Sequence, residues 1–134
     1  MSQREVELLR SRAVRMLGSA KSSLLAGDYD IAALMADQGV QLCLKSSVFR
    51  ITGEIPRVHS IRQLFHIFGT AIDRLDEVEE FIRKNRSLLI RLEDVYINSR
   101  YIPREYEKDE AGELVTFAEE AVEFVKDLER KASA

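Results

Sequence analysis

Two prolines and six glycines are too few to supply the turns of an all-β fold, and they leave room for long helices. Cysteine occurs once, as Cys43, which excludes an internal disulfide and a zinc site built from cysteines. Because Cys43 lies in an apolar segment, a small buried thiol is expected there. No apolar run approaches the roughly 18 residues of a membrane span. The start of the chain, Met1-Ser2-Gln3-Arg4-Glu5, lacks the apolar stretch of a signal peptide, so a cytoplasmic protein is expected. Sustained period-two alternation, internal repeats and low-complexity tracts are also missing, which argues against β-sheet and against repeat architectures.

What remains is a globular balance. Hydrophobic residues make up 46% and charged residues 32% of 134 residues, the size of one domain over 1–134 that buries roughly two-thirds of its unfolded surface. The net charge of −3 hides an asymmetry. Residues 1–70 hold nine Lys/Arg against six Asp/Glu, and residues 71–134 hold eleven against seventeen, so the halves carry +3 and −6. A domain-wide basic footprint for nucleic acid is therefore lacking, although Arg50, Arg57 and Arg62 leave room for a local basic patch.

Apolar residues repeat at helical spacing almost throughout. Val6, Leu9, Ala13, Met16, Leu17, Ala20 and Leu24 form one stripe of a first helix of about 22 residues, stopped by Gly27. Asp28 is placed to cap a second helix that runs to about Thr52, with Gly53 as its end signal. Ile31, Leu34, Met35, Val40, Leu42, Cys43, Leu44 and Val48 cover more than one side of it, as expected of the central helix of a bundle. After the loop Gly53-Glu54-Ile55-Pro56-Arg57-Val58-His59, Ser60 and Gln63 make a capping-box pattern ahead of Ile61, Leu64, Phe65 and Phe68.

Gly69 reads as the end of this short third helix. A short acidic element with Leu75, Val78, Phe81 and Ile82 follows. Asn85 or Ser87 then caps a helix bearing Leu88, Leu89, Leu92, Val95 and Tyr96, which should end near Arg100 because Pro103 disfavours helical geometry before it. From Asp109 a last helix turns Ala111, Leu114, Val115, Ala118, Val122, Val125 and Leu128 inward. The expected fold is all-α, an antiparallel bundle of four long helices with one or two short ones.

Two blocks of residues resemble the HEPN domain family. The first runs from Gly27-Asp28-Tyr29 through Gln38, Gln41, Lys45, Gly53 and Pro56 to His59-Ser60. The second is Tyr96, Arg100, Tyr101 and Pro103, stretched by Ile102 relative to the tightest form of the family pattern. Together with the helix spacing they cover nearly the whole chain. The resemblance implies an antiparallel helical bundle, frequent homodimers and frequent pairing with a minimal nucleotidyltransferase encoded nearby.

The resemblance also implies a site to look for: ribonuclease members of that family carry an arginine followed roughly four to six residues later by a histidine near the end of this later helix, a motif that counts only in its structural context. The guanidinium stabilises phosphorane charge and the imidazole moves a proton to or from oxygen. Here Tyr-Ile-Pro-Arg-Glu-Tyr follows Arg100, so the histidine is absent. Arg62 and His66 sit one turn apart on the third helix but outside the family position, and a polar rim explains them as well.

The remaining candidates each have two readings. His59, just before the Ser60 cap, either holds the loop or meets a ligand. Arg100, Tyr101 and Arg104 cluster where a helix ends, and either bind an anion such as a nucleotide phosphate or pair with a carboxylate while Tyr101 packs at a dimer seam. Gln38, Gln41 and Lys45 share a stripe of the second helix, as an internal network or the floor of a polar groove. The acidic run from Asp73 to Glu80 reads as solvated surface, since Glu79 and Glu80 cannot share one face. No metal site and no cofactor is expected.

Three functions follow from these features. The first is a non-catalytic nucleotide- or RNA-binding partner of a minimal nucleotidyltransferase in a toxin–antitoxin-like pair. The second is a divergent ribonuclease toxin using Arg100 with Tyr101 or a distant histidine. The third is a helical adaptor that binds only protein.

Overall fold

The computed structural model describes residues 3–133, so the expectation of no apolar leader at Met1 and Ser2 falls partly outside the described residues. Six helices follow one another: α1 (Gln3–Leu25), α2 (Tyr29–Thr52), α3 (Ile61–Ala71), α4 (Leu75–Lys84), α5 (Arg86–Tyr101) and α6 (Lys108–Ser133). This is the all-α arrangement read from the sequence, with four long helices and the short α3 and α4, and no strand among the described residues. None of these helices is long and apolar enough to cross a membrane.

The central place of α2 follows from its composition. It packs against α1, α3, α5 and α6, and it buries residues on every side, from Ala32 and Ala33 through Val40 and Leu44 to Val48. Alanines and serines at these positions let neighbouring helices approach closely. From α6, the seven residues from Ala111 to Leu128 expected to face inward are all buried. A second layer of aromatic packing joins α3, α4 and α6, where Phe81 stacks on Phe124 with centroids 4.1 Å apart and touches Phe65 and Phe117. Cys43 is buried as expected, and burial, reinforced by Glu129, pushes its thiol up to about 12, beyond any nucleophilic use near neutral pH.

The helix ends show where sequence signals acted differently. Gly53 ends α2 in the left-handed region, φ 81°, with its N–H on the Phe49 carbonyl at 2.9 Å. Ser60 caps α3 by accepting from the Gln63 N–H at 3.3 Å. Asp28 makes no side-chain cap bond to α2. Asn85 likewise does not cap α5 with its side chain and instead donates to the Phe81 carbonyl, closing α4 at 2.9 Å.

Gly69 does not end α3, which continues to Ala71. Its lack of a side chain serves packing, because a Cβ there would stand 3.0 Å from the Val78 side chain and 3.2 Å from the Leu75 backbone on α4. The turn between the two helices is made by Asp73, in the left-handed region at φ 58°. In the acidic run that follows, Glu77 pairs with Arg74 and Glu80 with Arg83 at the surface.

Candidate functional site

A buried carboxylate lies at the base of the site. Asp37, in the middle of α2, is completely buried, and both of its oxygens accept from the Gln41 Nε2 at 3.0 Å, one turn along the helix. Gln38 donates to Oδ2 at 2.9 Å. Burial is the larger influence, so the Asp37 carboxyl is raised to about 6 despite these hydrogen bonds; nearby Glu93 raises it further and Lys45 opposes the rise.

The chain of contacts continues outward. The Gln41 Oε1 lies 3.4 Å from the His59 Nδ1. The His59 ring stacks on Tyr96 of α5, with centroids 4.8 Å apart and planes within 13°. The Arg100 guanidinium sits over Tyr96 at 5.3 Å and beside Tyr101 at 5.9 Å. The imidazole is exposed, and its pKa is lowered first by desolvation, then by the positive charges of Lys45 and Arg100. Desolvation likewise lowers the half-buried Lys45, against the pull of Asp37.

The two cations keep their capacity for a ligand. Among the described residues neither Lys45 nor Arg100 forms an ion pair, and Arg100 is exposed at the end of α5. The packing of α5 on α2 and α3 makes this convergence possible. It is secured by Glu93 of α5, whose carboxylate takes both Nε (2.7 Å) and Nη2 (3.1 Å) of Arg62, the Arg62 backbone N–H, and the Ser60 hydroxyl. This clamp pins the start of α3, and with it the residue just before the cap, His59, against α5.

Five of the seven residues singled out in the sequence, Gln38, Gln41, Lys45, His59 and Arg100, are joined by contact or by charge in one cluster. Tyr101 stands at its edge, 72% exposed. Arg104 is not brought to it. Its guanidinium bonds Glu110 at 2.6 Å and covers Tyr106 at 4.1 Å, whose hydroxyl accepts from Asn98, so the connection before α6 is held by its own residues. Arg62 is occupied by Glu93, and His66 faces a different cleft lined by Asp76, Glu79 and Arg83.

Sequence reasoning missed Asp37 and Glu93. Asp37 had a legible signal, an acid on a helix apolar on every side with a glutamine one turn on. Glu93 had none, because its partners are some thirty residues away. Among the described residues no group of three His, Cys, Asp or Glu side chains is placed to hold a metal ion. What the cluster offers is two cations, an aromatic face and a neutral imidazole, a set suited to a phosphate attached to an organic group.

The comparisons with known proteins give one positive finding. The family model described as HEPN domain matches residues 6–128. No curated protein and no solved structure matches the chain.

Proposed function

Because this chain belongs to the HEPN domain family, we propose that it acts as a non-catalytic nucleotide- or RNA-binding partner of a minimal nucleotidyltransferase, in a toxin–antitoxin-like pair in the cytoplasm. The observation that carries this reading is that, among the described residues, Lys45 and Arg100 have no ion-pair partner while both bring positive charge to His59, which stacks on Tyr96. A phosphate between them replaces water around two charges with charge-assisted hydrogen bonds, and the aromatic edge at Tyr101 offers a surface for a base. The missing histidine after Arg100 supports binding rather than cleavage. The whole chain acts as one domain in this reading.

A homodimer belongs to the same proposal. Ile90 and Ile97 are exposed along one stripe of α5, at 36% and 48%. A second copy of this chain is the occupant proposed for that stripe, which runs up to Arg100.

The position of His59 favours a second reading, a divergent ribonuclease. Here an imidazole comes from the loop before α3 to stand with Arg100 against Tyr96, although the motif on α5 has none. One experiment separates the two. The purified protein alone is mixed with labelled RNA and with labelled ATP. The binding reading predicts retention of a labelled ligand without cleavage, weakened about tenfold or more by Arg100→Ala. RNA cleavage abolished by both Arg100→Ala and His59→Ala would replace it with the ribonuclease reading.

A further inference from the structure

The buried end of the site has a chemical consequence for its exposed end. An ionised Asp37 has only acceptor oxygens, so the Gln41 amide that meets both of them must present its NH2. That orientation turns the Gln41 carbonyl Oε1 toward the His59 Nδ1, and an acceptor there requires Nδ1 to carry the proton. The second ring nitrogen, Nε2, is then a bare lone pair on an exposed ring, with no hydrogen-bond partner among the described residues. Desolvation, and then the positive charges of Lys45 and Arg100, disfavour a second proton on the ring.

The structure assigns Asp37 the role of a positioning residue: through Gln41 it holds His59 as the Nδ1-protonated tautomer, so that the site takes a phosphate ester bearing a hydroxyl on the neighbouring carbon. The phosphate meets Lys45 and Arg100, and the hydroxyl donates to the His59 Nε2. This specificity rests on the anion-binding reading of the site, and the tautomer does not. The charged groups around the relay are Lys45 of the same helix, Glu93 of α5 with its partner Arg62 of α3, and Arg100 at the end of α5. Glu93 is already neutralised by Arg62, which leaves Asp37 as the carboxylate that orients Gln41.

The test is nitrogen-15 NMR of the histidine side chains in the intact protein at pH 7.5, with His66→Gln to assign the two signals, combined with titrations of adenosine 3′-monophosphate and its 2′-deoxy counterpart. The expected result is a protonated Nδ1 and an unprotonated Nε2 for His59, with the ribose compound binding about fivefold or more tightly than the deoxy one. In Asp37→Asn the asparagine can donate to the Gln41 carbonyl, the amide turns over, and His59 moves toward the Nε2-protonated form with loss of the ribose preference. An Nε2-protonated His59 in the unaltered protein overturns the proposal without recourse to any variant. Equal affinity for the two nucleotides overturns the ligand assignment. If neither nucleotide binds while the Nδ1 tautomer is found, the positioning role stands and the anion-binding reading fails.

Discussion

Asp37 carries the most distinctive chemistry at the scale of single residues. Its folded pKa is about 6 against an ordinary value of 3.8, so its ionisation is disfavoured in the native state and it stabilises the fold most when protonated. With the folded value raised, that contribution is complete below about pH 4 and is lost as pH rises through about 6. The shift corresponds to about 3 kcal/mol. Asp37→Asn should therefore gain stability relative to the unaltered protein by about this amount between pH 4 and pH 7. Paired urea unfolding curves at the two pH values measure it, and a difference that does not change with pH contradicts the assignment.

The same residue shows how a legible signal is passed over. Gln41, Lys45 and His59 stood out as polar residues on an apolar helix or beside a cap, and Asp37 on that same helix carried the same signal, but an acid in a chain with many charged residues is readily taken for surface. Only the closure of α5 over α2 and α3 brings Tyr96 onto His59 and puts Arg100 next to that pair. The grouping of Arg104 with Arg100 failed for a related reason. Four residues apart across the end of a helix does not fix direction, and Glu110 captured Arg104 on the α6 side.

Helices were legible wherever an apolar stripe ran several turns. α6 buries the face expected of it, and the α2 end at Gly53 follows from a glycine in the left-handed region. Gly69 was misread because a glycine late in a helix serves equally as a stop signal or as a point of close approach. Adding a methyl group there should push α4 off α3. Gly69→Ala is expected to cost about 1–3 kcal/mol. Gly112→Ala, in α6 with nothing within 4 Å of the new Cβ, should instead stabilise by about 0.5–1 kcal/mol. Thermal unfolding of the two variants side by side tests this, and an equal effect at both positions would show that helix propensity, not the α3–α4 contact, decides.

For the whole molecule, the fold class and the central role of α2 could be read from patterning, but the pairing of distant helices could not. The Glu129 carboxylate of α6 accepts from Arg10 of α1 and, at 2.9 Å, from Arg50 of α2, and no local signal marks that junction. It holds the face of the bundle formed by α1, α2 and α6, while the candidate site uses α2, α3 and α5. The proposed ligand site and this ion-pair junction thus use separate sets of side chains.

The most direct test of the account follows backbone and side-chain NMR signals of the intact protein during titration with ATP. The account predicts shifts concentrated at Gln41, Lys45, His59, Tyr96, Arg100 and Tyr101, with Arg10, Arg50 and Glu129 unmoved. Saturable shifts confined to the Arg10–Glu129 face, or none at any concentration of ATP or of a short RNA, would contradict it.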